Sequence, residues 1–241
     1  LYLTLLADTR PRGLGNTGSY SQNWLPDRYF EHRTSLIVDP PNGRLPAPTE
    51  AGAKKRAAAA GRFGQVGASA QDMSLQDRCI HYGFPDLFAA YMAVYRIVQT
   101  PQYVAIQMEK IHDARIIPLD GRPHTRSTMP QYMGDSRGRW EGDTFVVDVS
   151  NFNGRTWLDM AGNFVDENEH VVERFRLLDR DTILYEATVT EPTVFVKPVE
   201  FRFTLKRVPA EQQILEYSCL EGERSLQHYT DEGGGKKGRA K

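Results

Sequence analysis

The chain has 241 residues, and its 30 Lys and Arg nearly cancel its 31 Asp and Glu, leaving a formal net charge of -1. That balance excludes a global field that would gather nucleic acid or an anionic membrane, so partners have to be chosen by a pocket or a local patch. A hydrophobic share of 40% suits a globular protein, no apolar run approaches the ~20 residues of a membrane span, and the length fits one domain with irregular additions.

Residues 1–32 are rich in Gly, Asn, Ser and Pro and carry Tyr20, Trp24, Tyr29 and Phe30. They read as an extended arm whose aromatics anchor it, and as the segment that would take a protein partner. A strand over 33–38 is stopped by Asp39-Pro40-Pro41-Asn42-Gly43, because proline cannot donate to a ladder and Asn-Gly favours a turn. Thr49 is a candidate N-cap with Glu50 after it. The alanine-rich 51–61 stretch predicts a helix with almost no apolar stripe, a short solvated surface helix. With the Gly and Ser loop behind it and a short helical turn at 74–80 that delivers Cys79, it forms an insert over about 49–92.

From Ala93 the grammar changes to short strands separated by Gly, Pro or Asp turns. Strands are expected at 94–99, 103–108 and 115–119, then at 171–178, 182–190, 194–196, 200–207 and 214–219. Between the two groups, 133–152 reads as a hairpin around Glu141-Gly142-Asp143. Strands at this spacing without crossover helices predict an all-β fold: an antiparallel meander closing into a lipocalin-like, calycin-type β-barrel over 33–230, followed by a disordered tail at 231–241.

Period-two alternation assigns the faces. In 171–178 the inward set is Val171, Phe175 and Leu177, and Glu173 shares their parity. The later inward sets are Ile183, Tyr185, Ala187 and Val189, then Phe201, Phe203 and Leu205, and finally Leu215, Tyr217 and Cys219. A buried carboxylate must meet a cation or serve a ligand. Arg115, which shares parity with Ile117 and Leu119, is the candidate cation.

Several motifs carry weaker readings. Gly134-Asp135-Ser136-Arg137-Gly138 fits G-x-S-x-G, but a nucleophile elbow needs a strand before the serine and a helix after it, whereas a hairpin follows here. Glu109 with His112, and His170 with Glu173, are three apart; on strands that spacing sends them to opposite faces. A metal site would therefore need His112, His124 and His170 to converge across strands, and no cofactor motif is present. The loop after the central hairpin offers Trp157 and Asp159 to a flat ligand with a polar edge. Cys79 and Cys219 form no zinc signature and are either one disulfide or two buried thiols.

The stretches Arg33-Thr-Ser-Leu-Ile-Val-Asp-Pro-Pro-Asn-Gly-Arg44, Arg78-Cys79-Ile80, Ile111-His-Asp-Ala-Arg-Ile-Ile117, Asp120-Gly-Arg-Pro-His124, Met133-Gly-Asp-Ser-Arg-Gly-Arg-Trp-Glu-Gly-Asp143 and Val172-Glu-Arg-Phe175 resemble a large family of uncharacterised bacterial proteins commonly preceded by secretion signals. The resemblance implies a periplasmic or secreted location, which favours the Cys79 to Cys219 disulfide.

Three functions are compatible with these residues. The first is a barrel that binds a small, partly apolar or aromatic molecule, with His112, Arg115 and Glu173 orienting it and Glu109, His124, Trp157, Asp159, His170, Tyr185 and Tyr217 around it. The second is a cofactor-independent lyase, isomerase or hydrolase with His112 or Glu173 as general base and Arg115 facing a developing oxyanion. The third is an accessory subunit of a larger assembly, held through the N-terminal arm.

Overall fold

The computed structural model describes residues 33–60, 75, 78–81, 83–85, 94–126, 128–156, 158 and 165–219. The expected N-terminal arm and C-terminal tail, together with Trp157 and Asp159, lie outside these residues.

The described residues form nine strands, β1 (Ile37–Asp39), β2 (Tyr95–Gln99), β3 (Tyr103–Met108), β4 (Ala114–Pro118), β5 (Asp135–Glu141), β6 (Thr144–Ser150), β7 (His170–Asp179), β8 (Thr182–Thr190) and β9 (Val199–Lys206), with one α-helix, α1 (Glu50–Ala60). They form two antiparallel sheets, one of six strands in the order β1-β9-β8-β7-β6-β5 and one of three in the order β2-β3-β4. The meander is therefore present, but among the described residues it does not close into a barrel. β1 is three residues long and runs into Pro40 and Pro41. The expected strand at 194–196 contributes a single bridge, Phe195 to Pro48. The expected closing strand at 214–219 is irregular chain.

Register explains how the large sheet makes its core. Trp140, Phe145, Phe175, Tyr185 and Phe203 are consecutive cross-strand partners from β5 to β9. Neighbouring rings in this row lie 5.2, 6.0, 4.9 and 4.8 Å apart, the spacing at which aromatic pairs add to area burial. A second row, Ser136, Val149, Val171, Val189 and Val199, is aliphatic apart from its serine. Between them runs Gly138, Val147, Glu173, Ala187 and Phe201. Leu177, expected to point inward, is 63% exposed, because the β7–β8 hairpin is irregular at Leu177/Asp179 and projects past the core.

The two sheets touch where β4 crosses β5. A Cβ on Gly138 would come within 2.8 Å of Leu119 Cδ2 and Phe145 Cε2 and 2.9 Å of Ile117 Cγ2, so the absence of a side chain is what lets the sheets approach. α1 is capped by Thr49, whose Oγ1 accepts from Gly52 N at 3.0 Å. It is more than a solvated helix, because Gly52 lies against Val194, where a Cβ would meet the carbonyl oxygen at 2.4 Å. Lys55 adds an ion pair to Asp166 at 3.0 Å.

Gly138→Ala is expected to lower stability by about 1–3 kcal/mol, the usual cost of overpacking, read as a fall in the denaturation midpoint with an unchanged slope.

Candidate functional site

Glu173 is the central residue of the middle row and is fully buried. Its cross-strand neighbours are Val147 and Ala187, and Arg115 reaches it from β4. The guanidinium meets the carboxylate end-on, Nη1 to Oε1 at 2.9 Å and Nη2 to Oε2 at 2.5 Å. Tyr185 donates its hydroxyl to Oε1 at 2.9 Å, and Arg115 Nη2 also donates to Ser136 Oγ at 3.1 Å. Arg115 further lies 4.7 Å from the centre of the Phe84 ring. Burial, then the negative charge of Glu173, pushes the Tyr185 phenol well above its ordinary value, with Arg115 opposing. Arg115, Glu173 and Tyr185, three of the residues expected around a ligand, are thus bonded to one another in the buried interior.

Beside this network lies an open cleft of about 460 Å³ at the start of β4 and β5, with His81, Asp113, Arg115, Tyr132, Asp135 and Ser136 among its walls. Its rim is fastened: Gln131 N donates to Asn151 O at 3.0 Å, Asn153 N donates to Gln131 O at 2.9 Å, and the Thr156 hydroxyl donates to Tyr132 O. The cleft is thus preformed, as small-molecule sites usually are.

No family model, curated protein or solved structure matches the chain. The site therefore has to be read from its own chemistry.

His81 is the informative wall residue. It is 1% exposed, its Nδ1 accepts from Gly83 N at 2.9 Å, and Tyr132 stacks edge-on at 5.6 Å. Accepting at Nδ1 puts the hydrogen of a neutral imidazole on Nε2, and Nε2 is buried without a partner. Burial lowers the His81 pKa to about 4, which keeps the ring neutral near pH 7. Asp113, half-buried, accepts from Ala114 N at 3.1 Å, and burial raises its carboxyl above the ordinary range, opposed in part by that bond and by the Arg115 charge. Asp135 is matched by Arg137 Nη1 at 2.6 Å.

The other residues singled out by sequence lie elsewhere. Glu109 and His112 hold the C-terminal segment, Glu109 Oε1 accepting from Leu215 N at 2.9 Å and His112 Nδ1 from Tyr217 N at 3.1 Å. Tyr217 is half-buried on that segment and does not reach the large-sheet core, and the segment ends in the Cys79–Cys219 disulfide, whose Cα atoms are 5.8 Å apart. His124 and His170 meet on the outer face of the large sheet, both bonded to Asp148, at 2.7 Å from His124 Nε2 and 2.9 Å from His170 Nε2. His124 Nδ1 lies 3.2 Å from Asp135 Oδ2. Burial raises the Asp148 carboxyl, but its bonds with His170 and His124 outweigh it and leave it below the usual range. His112 is not part of this cluster, and among the described residues no group of three or more His, Cys, Asp or Glu could hold a metal. Ser136 sits within β5 and bonds Arg115, so the strand-to-helix turn of a nucleophile elbow is absent around it.

His81 was not singled out by periodicity, since it lies in no strand. Its signal in the sequence is position alone, two residues after Cys79 and beside the turn-forming Gly83.

Two outcomes test this geometry. Glu173→Gln is expected to destabilise by about 3–5 kcal/mol, the cost of stranding a buried partner, whereas Glu173→Leu with Arg115→Met costs less than the sum of the single changes in a denaturation cycle. The lowered His81 pKa gives stability that is complete above the unfolded imidazole value near 6.5 and is lost as pH falls through about 4. His81→Gln should flatten that part of the stability-against-pH curve.

Proposed function

We propose that the chain binds a small, partly apolar molecule in the cleft between β4 and β5. The observation that carries this reading is His81: a buried imidazole on the wall of a preformed cleft, with an unmatched Nε2–H. An unpaired buried donor costs about 1–3 kcal/mol, and a ligand oxygen is what would recover it. Ile80, Ile116 and Met133 supply the apolar part of the lining. The cleft replaces the barrel interior as the binding place, since Arg115, Glu173 and Tyr185 satisfy one another. A lipocalin-like manner of use therefore survives only as capture of a small molecule beside a β-sheet.

Catalysis with Glu173 as base has less support, because its carboxylate already receives Arg115 at both oxygens. Membership of the motif-defined secreted family remains part of the proposal. The disulfide suits an oxidising compartment, and no described helix is long and apolar enough to cross a membrane.

Native mass spectrometry of the gently purified protein, compared with the denatured sample, is expected to show a small-molecule adduct that disappears on denaturation. Ala114→Trp, at an exposed wall position, should abolish that adduct by filling the cleft; an adduct that persists in this variant would refute the cleft as its seat.

A further inference from the structure

The charges around the cleft narrow the ligand. Arg115, the cationic side chain of the wall, is joined at two points to Glu173. Asp135 is matched by Arg137 at 2.6 Å and accepts from Thr125 N at 2.7 Å, with His124 on the same oxygen at 3.2 Å. Of the acidic and imidazole groups in the lining, these pairs leave Asp113, with Ala114 N as its donor, and His81, whose Nδ1 is committed to Gly83. A carboxylate entering here would meet a second acid and find its cation already neutralised, and desolvating it would cost far more than desolvating an amide. A neutral carbonyl suffers neither penalty. Its oxygen can accept from an imidazole N–H, and an adjacent N–H can donate to a carboxyl oxygen of Asp113.

We infer that the cleft selects an uncharged ligand, a carbonyl or amide group on an apolar body, over the corresponding carboxylate, with His81 as the residue that recognises the carbonyl oxygen. This rests on the cleft being the binding place. Tyr132, also on the cleft wall, lies edge-on to the His81 ring at 5.6 Å, and Nε2 is buried with no partner of its own. Burial reinforces the choice by keeping the imidazole neutral, so that it offers a carboxylate no positive charge.

Benzamide and benzoate test the inference, being alike in size and shape and different in charge. Each is titrated at pH 7 into the ¹⁵N-labelled full chain, and the backbone amide shifts of residues 113–116 and 131–136 are followed. Benzamide is expected to bind at these residues about ten-fold or more tighter than benzoate, the margin one satisfied donor and an avoided charge supply. His81→Phe should weaken benzamide by about ten-fold, and Asp113→Asn, which changes no volume, should narrow the preference by improving benzoate. Equal affinities, or tighter benzoate, with shifts confined to the cleft would overturn the selectivity while leaving the cleft as a binding place. Shifts from neither probe at those residues would remove the binding reading itself.

Discussion

The pairing of Arg115 with Glu173 is the constraint on which the two sheets depend. Neither charge is tolerable alone in the core, and each comes from a different sheet, so satisfying them fixes how β4 lies over β7. Gly138 lacks a side chain where Ile117, Leu119 and Phe145 crowd the space a Cβ would take. The pair also explains the composition around it. Tyr185 carries a hydroxyl where its row otherwise carries hydrocarbon rings and an indole, because Glu173 Oε1 has a lone pair left to fill. Replacing such a pair with hydrocarbons can be neutral in stability. Its value here is registry: an arginine slipped by one residue would send the charge to the other face of the small sheet.

That closed network makes the neighbouring cleft the informative place. Arg115 belongs to both, and its position is set from below by Glu173 and from the side by Ser136 and Phe84. The opposite wall is set by different means. His81 follows Cys79, which is tied to Cys219 across 140 residues of sequence, a crosslink worth about 2–5 kcal/mol through the unfolded chain. Glu109 and His112 hold the same C-terminal segment from the small sheet. Residues that looked like ligands of a barrel interior therefore act as fasteners for the chain that bears the disulfide.

Most of the strands were legible because their alternation and their turn residues agreed. The β5–β6 turn follows from Glu141-Gly142-Asp143, and a period of two gives the inward parity of Glu173 and makes Arg115 its candidate partner. What escaped that reasoning depended on contacts between segments distant in sequence. Closure of the barrel could not be judged from strand count, since the segment at 214–219 has strand-like alternation yet finds its backbone partners in two side chains, Glu109 and His112. The helix looked solvated because its docking uses a missing side chain, Gly52, where a search for an apolar stripe finds nothing. His124 and His170 are far apart in sequence and on different elements, and Asp148, the residue that unites them, carries no signal of its own. The cleft is assembled from three stretches, and its decisive residue, His81, sits in irregular chain to which no periodicity applies.

Two buried groups with unmatched atoms show why His81 is the better pointer to function. Glu169 is 2% exposed and neither carboxyl oxygen has a partner. Burial, with the nearby charge of Glu191, raises its pKa well above the ordinary range, so it relieves much of the cost by keeping its proton, and it lines no described cleft. The imidazole has no comparable escape. With Nδ1 accepting from Gly83, a neutral ring must carry hydrogen on Nε2, and adding a proton would only bring a charge into the same buried site. Its unsatisfied donor can be answered only from outside the ring, and His81 is a wall residue of the cleft.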